Sequence, residues 1–172
     1  MHIKEIIKCA NKLLKIYKAD KKVVIIACWL HDISKFKVKN KKDTTKYHKT
    51  HHLDSYKFSI KFLSNYSISN KEKEEICNCV LRHRNNKPYQ VRTIEEKIIT
   101  VADILSHFTN IFYFTHFKFH PDDSVYDMAI AHLEKIERDW QDLNLLPKSI
   151  KLIEDKYKIL REMHQNFIDN NK

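Results

Sequence analysis

Apolar positions recur along this chain at the helical period and almost nowhere at the alternation a strand requires. Ile3, Ile6, Ile7, Ala10, Leu14 and Tyr17 fall on one stripe, which predicts an amphipathic helix over residues 3–18. Every residue from Val23 to Leu30 is apolar, so a second helix over 21–32 is expected to be buried and central. Ile33 to Tyr47 is dense in lysine with Asp43 as its one acid, and reads as an exposed connector. A third helix is predicted from Leu53 to about Asn65. Asn70 is placed as the cap of a fourth, with Glu72, Glu74 and Glu75 near its positive end and Asn85-Asn86-Lys87-Pro88 beyond it. A fifth starts near Thr93, with Glu96 at capping-box distance, and carries Ile98, Val101, Leu105 and Phe108. Pro121 to Ser124 open a sixth bearing Met128, His132, Ile136 and Trp140. Pro147 opens the last, striped by Ile150, Ile153, Tyr157, Leu160 and Phe167. No repeat is visible. The pattern predicts an all-α chain: one compact domain over 1–172, with about six to seven helices.

Composition adds little to that picture but removes some functions from it. At 172 residues with 42% hydrophobic content, the chain can bury a core of its own. No apolar run approaches the roughly 18 residues of a membrane span, and the first residues lack a signal-peptide core. The expectation is a cytoplasmic protein with no membrane partner. Cys9, Cys28, Cys77 and Cys79 all sit in apolar-periodic segments, as buried reduced thiols do. Cys77 and Cys79 are two apart and point to nearly opposite sides of a helix, so they cannot chelate one ion. The net charge of +10 comes from 32 basic residues, of which 27 are lysine and five arginine, in a chain with no glycine. That is a general compositional bias and weak support for a nucleic-acid partner. The same field attracts small phosphorylated molecules.

The candidate chemistry lies in His and Asp residues near the ends of the predicted helices. His2 opens the first and His31-Asp32 ends the second. His52 opens the third, His83 ends the fourth, and Asp103 lies inside the apolar stripe of the fifth, where an unpaired carboxylate would be costly. Side chains from several helices can meet at the end of a bundle. Neutral imidazoles with carboxylates suit Mn, Fe, Co, Zn or Mg better than a thiolate site would.

In this order, His…His-Asp…His…His…Asp resembles the HD-domain superfamily of metal-dependent phosphohydrolases. His2-x3-Ile6-x3-Ala10 resembles that family's opening helix. Leu30-His31-Asp32-Ile33-Ser34-Lys35 resembles its Leu-His-Asp-Ile-Gly-Lys signature, with Ser34 in place of Gly. His52-x2-Ser55 resembles the third segment, and Val80-Leu81-Arg82-His83-Arg84 the fourth. Val101-Ala102-Asp103-Ile104-Leu105 resembles the segment that supplies the last ligand. The similarity covers about residues 2–110.

The resemblance implies an HD-type bundle with His2, His31, Asp32 and Asp103 as metal ligands. It implies His52 and His83 as the additional histidines of members holding two ions, with Asp32 bridging. Lys35 stands where some single-metal relatives carry a Glu base, which favours two metals and a phosphate contact for Lys35. The implied activity is hydrolysis of a phosphate ester or anhydride, on a nucleotide or related small molecule, by water activated on one or two divalent ions. Asp32, Lys35, Arg82 and Arg84 are the expected catalytic and anion-holding groups, and the lysines between Lys37 and Lys49 could steer an anion in. His48 and His51 are read as solvated neighbours, and His132 and His164 as hydrogen-bonded core histidines. The aromatic run from Phe108 to His120 is read as core packing or an oligomer interface. The competing reading is a non-catalytic nucleotide or nucleic-acid binding module on the same fold; an inactive relative that keeps its metal for structure is a third.

Overall fold

The computed structural model describes residues 2–37, 44–113 and 124–171, with side chains from 2 to 35, 50 to 113 and 124 to 171. Among these residues the secondary structure is helical, with no strand. They gather into two compact units, Met1–Ala102 and Asp103–Lys172, whose boundary falls inside one helix. The lysine-rich stretch from 38 to 49 and most of the aromatic run, from 114 to 120, lie outside the described residues or side chains.

The first unit is built from α1 (His2–Leu14), α2 (Lys21–Leu30), α3 (Thr44–Leu63), α4 (Asn70–Arg82) and the start of α5 (Ile94–Thr109). Helix α1 buries Ile6, Cys9, Ala10 and Leu13: Ile6 and Ala10 belong to the predicted stripe, whereas Cys9 and Leu13 are buried in place of Ile7 and Leu14. It packs on α2, and α2 and α3 both pack on α4. Asp20 caps α2 by accepting from the Val23 amide at 3.1 Å. Helix α2 is less enclosed than its composition suggests. Val23, Val24, Ala27 and Cys28 are fully buried, but Trp29 is 53% exposed. An apolar run longer than the contacts available to it leaves one face outward.

Helix α4 starts one residue earlier in its capping than the pattern indicates. Ser69, not Asn70, is the N-cap, and it forms a reciprocal capping box with Glu72. Helix α5 has the expected Thr93–Glu96 arrangement: the Glu96 amide reaches the Thr93 hydroxyl at 3.3 Å, and the Glu96 carboxylate accepts from the Arg92 amide at 2.6 Å. All four cysteines are buried thiols, and burial raises the Cys77 thiol to about 11. Burial raises Cys79 as well, so these two thiols stay protonated at neutral pH.

The second unit holds the end of α5, α6 (Val125–Asp142) and α7 (Glu154–Asp169), which pack together through a Trp140–Tyr157 stack with centroids 3.9 Å apart. Pro147 opens a short 3-10 segment, Pro147–Leu152, before α7 begins. His132 and His164 are both buried, and His164 Nδ1 donates to the Leu160 carbonyl at 2.8 Å.

Candidate metal centre

Helix α2 delivers its last turn into a 3-10 segment, Ile33–Lys37, and the change of direction leaves Asp32 at the junction. Its carboxylate, with side chain 12% exposed, becomes the hub of the first unit. Oδ2 faces His31 Nε2 at 3.5 Å and His2 Nε2 at 3.9 Å. Oδ1 faces His51 Nε2 at 3.1 Å and His83 Nε2 at 3.8 Å. Two imidazoles stand at each oxygen, brought from the start of α1, the end of α2, the body of α3 and the cap of α4. Lys35 Nζ lies 2.5 Å from Oδ2, on a side chain 39% exposed. Burial raises the Asp32 carboxyl, but His31, His51, Lys35 and His83 outweigh it and hold it far below the ordinary range.

Local hydrogen bonds fix which nitrogen each ring presents. His31 Nδ1 lies 2.9 Å from the Cys28 carbonyl, and His83 Nδ1 lies 2.7 Å from the Val80 carbonyl. A carbonyl only accepts, so both Nδ1 atoms carry hydrogen, and the rings turn their Nε2 edges to Asp32. This is the backing that metal-ligating histidines use. His31 Nε2 and Asp32 Oδ1 are buried yet make no well-formed hydrogen bond. Buried polar atoms left in this way on an imidazole and on the carboxylate beside it are costly in a dry site, and a cation would relieve the cost. Asp32, His51 and His83 place one ligand atom each within 4.8 Å of one another. The donor set therefore fits a divalent ion, with only N and O atoms offered.

Histidine 51, not His52, faces Asp32. The sequence reading placed His52 in the set and His51 in solvent; the structure buries both and turns His51 to the carboxylate. His51 is buried, and the α3 register carries the neighbouring ring about 100° around the helix. His52 lies edge-on to Tyr89, with centroids 5.7 Å apart. Burial, with Arg84 and His51 adding to it, lowers His52 to about 4. It is a neutral neighbour of the centre.

Ser34 holds that register. Its hydroxyl lies 2.9 Å from the His51 carbonyl and 2.9 Å from the Ser55 hydroxyl, and its amide reaches the same Ser55 oxygen at 3.3 Å. The residue that departs from the family signature thus ties the Asp32 turn to α3 beside His51. Of the two expected arginines, Arg82 is engaged elsewhere: Nη1 donates to the Gln90 carbonyl at 2.9 Å and Nε lies 3.7 Å from buried Glu96. It orders the chain after α4 rather than offering a free fork. Arg84 is half-buried near His52.

Asp103 begins the second unit on α5. Its Oδ1 lies 3.7 Å from His107 Nε2, one turn along the helix, with the carboxylate side chain 21% exposed. Sequence reasoning passed over His107 and its buried partner Asp139. The signal was present, because His107 follows Asp103 at i,i+4 spacing, the interval that puts two side chains on one face.

A family model described as HD domain matches residues 1–107. No curated protein and no solved structure matches the chain.

Proposed function

The chain belongs to the HD-domain superfamily of metal-dependent phosphohydrolases, and from that premise we propose that it hydrolyses a phosphate ester or anhydride of a nucleotide or related small molecule. The observation that carries the reading is the two-sided Asp32 carboxylate, with His2 and His31 at one oxygen and His51 and His83 at the other. Such an arrangement would suit one or two divalent cations held beside the carboxylate. His2, His31, Asp32, His51 and His83 would hold them, and Asp103 is retained from the family pattern as a further ligand. Bound divalent ions supply acidified water and neutralise charge developing on the transferred phosphoryl group.

The remaining work falls to the chain's own residues. The Cys28 and Val80 carbonyls hold the His31 and His83 rings in one tautomer, so the donors need no reorganisation. Ser34 and Ser55 keep His51 in place. Lys35 is partly exposed beside Asp32 and is positioned to bind a non-reacting phosphate oxygen as a point charge. Arg84 is a second candidate for that role; Arg82, held by Glu96 and Gln90, is not.

The test is phosphate release from a panel of nucleotides and simple phosphoesters with Mn2+, for the wild type and Asp32→Ala. Turnover that vanishes in Asp32→Ala, while its circular dichroism remains helical, is expected. A variant that retains activity would remove the assignment.

A further inference from the structure

Two of the histidines around Asp32, His31 and His83, share a design: Nδ1 meets a carbonyl behind the ring, and Nε2 faces a carboxylate oxygen at 3.5 and 3.8 Å. The second unit contains one more histidine built this way. His107 Nδ1 lies 2.9 Å from Asp139 Oδ2, and its Nε2 faces Asp103 Oδ1 at 3.7 Å. That gap falls within the 3.1–3.9 Å spread between Asp32 and the imidazoles beside it. We propose that His107, backed by Asp139, is a further nitrogen ligand to the divalent ion taken by Asp103. The inference rests on the assignment of Asp103 as a ligand.

The construction behind His107 is more elaborate than core packing needs. Asp139 is buried and serves three groups: His107, the Tyr113 hydroxyl at 3.3 Å and Lys135 Nζ at 3.1 Å from both its oxygens. Phe112 lies against the imidazole at a centroid distance of 4.4 Å. Together they fix the ring's tilt and leave its Nε2 edge beside Asp103. A carboxylate behind an imidazole is the common backing of a ligating histidine, and it strengthens the ring as a donor. His164 is the contrast: its Nδ1 is also satisfied, but by the Leu160 carbonyl of its own helix, and its ring sits among Tyr113 and His132. Satisfaction of Nδ1 alone does not set a ligand apart; the carboxylate facing Nε2, which His31, His83 and His107 share, does.

The experiment is Mn2+ titration of the full chain by calorimetry, with Co2+ visible spectra, for the wild type, Asp103→Ala, His107→Gln, Asp139→Asn and the Asp103→Ala/His107→Gln pair. Melting curves identify any variant that has failed to fold. The expected result is weaker binding of one ion in His107→Gln and Asp139→Asn, about 10–100-fold in the latter, with a changed Co2+ spectrum in His107→Gln. The paired variant should lose no more than its worse parent, because both changes act on one ion. If Asp103→Ala loses the ion while both His107→Gln and Asp139→Asn bind and absorb as wild type, the proposal for His107 falls and the Asp103 reading stands. Unchanged binding in Asp103→Ala would overturn both. Lowered melting temperatures with unaltered spectra in the His107 and Asp139 variants would reduce the pair to a structural contact.

Discussion

About 100° of rotation around α3 decides which of two adjacent histidines meets the centre. His51 and His52 are adjacent in the sequence, and the His52-x2-Ser55 match pointed to the second of them. What separates them is the orientation of α3, which the Ser34–Ser55 contact fixes from outside the helix. No periodicity within α3 could have revealed that. The difference has a direct consequence. His51→Ala should lower the Mn2+ retained per chain after desalting, read by elemental analysis, whereas His52→Ala should retain the wild-type amount. The reverse pattern would return His52 to the ligand set. By contrast, His31, Asp32 and His83 were legible, since each ends a helix where an apolar run stops abruptly, and the structure gathers them around one carboxylate.

The elements themselves were legible wherever an apolar stripe met a capping signal. Their boundaries were not, because the cap is settled by which side chain reaches the open amides. At α4 the Ser69 hydroxyl takes that place, and Glu72 returns to the Ser69 amide at 3.1 Å while also pairing with Lys22 at 2.7 Å. Ser69→Ala should cost about 1 kcal/mol in urea unfolding, the usual loss for a cap. The Glu72 carboxyl is lowered from 4.5 to about 2, by Lys22 first and then Ser69. A carboxyl depressed by folding stabilises the protein above its unfolded value and loses that contribution as pH falls towards its folded one. The wild type should therefore weaken between pH 4.5 and about 2 relative to Glu72→Gln. Urea midpoints on either side of that window check it: the advantage of the wild type present above should close below. A gap that persists at the acid end would mean that Glu72 acts through packing instead of charge.

For the whole molecule, the all-α class followed from periodicity alone, while the division into two compact units did not. The boundary falls within α5, whose apolar stripe runs on without a break through Ala102 and Asp103. A boundary between compact units is legible in sequence when a linker marks it, and a continuous helix gives none. The centre built on this frame has an energetic consequence for the fold. Its donors come from the start of α1, the end of α2, the middle of α3 and the cap of α4, so an unfolded chain does not hold them together. An ion that binds only the folded form stabilises it by mass action, about 2.7 kcal/mol at a free concentration 100 times Kd. For a chain of this size each kcal/mol is worth roughly 2–4 °C in Tm, so saturation with Mn2+ should raise Tm by about 5–10 °C. Chelation with EDTA should reverse the rise. Asp32→Ala removes the carboxylate common to every ion in the first unit and should show little of it. A wild-type melting temperature that ignores Mn2+ across a wide concentration range would mean that these histidines are held together by the fold alone, and the phosphohydrolase reading would lose its physical basis.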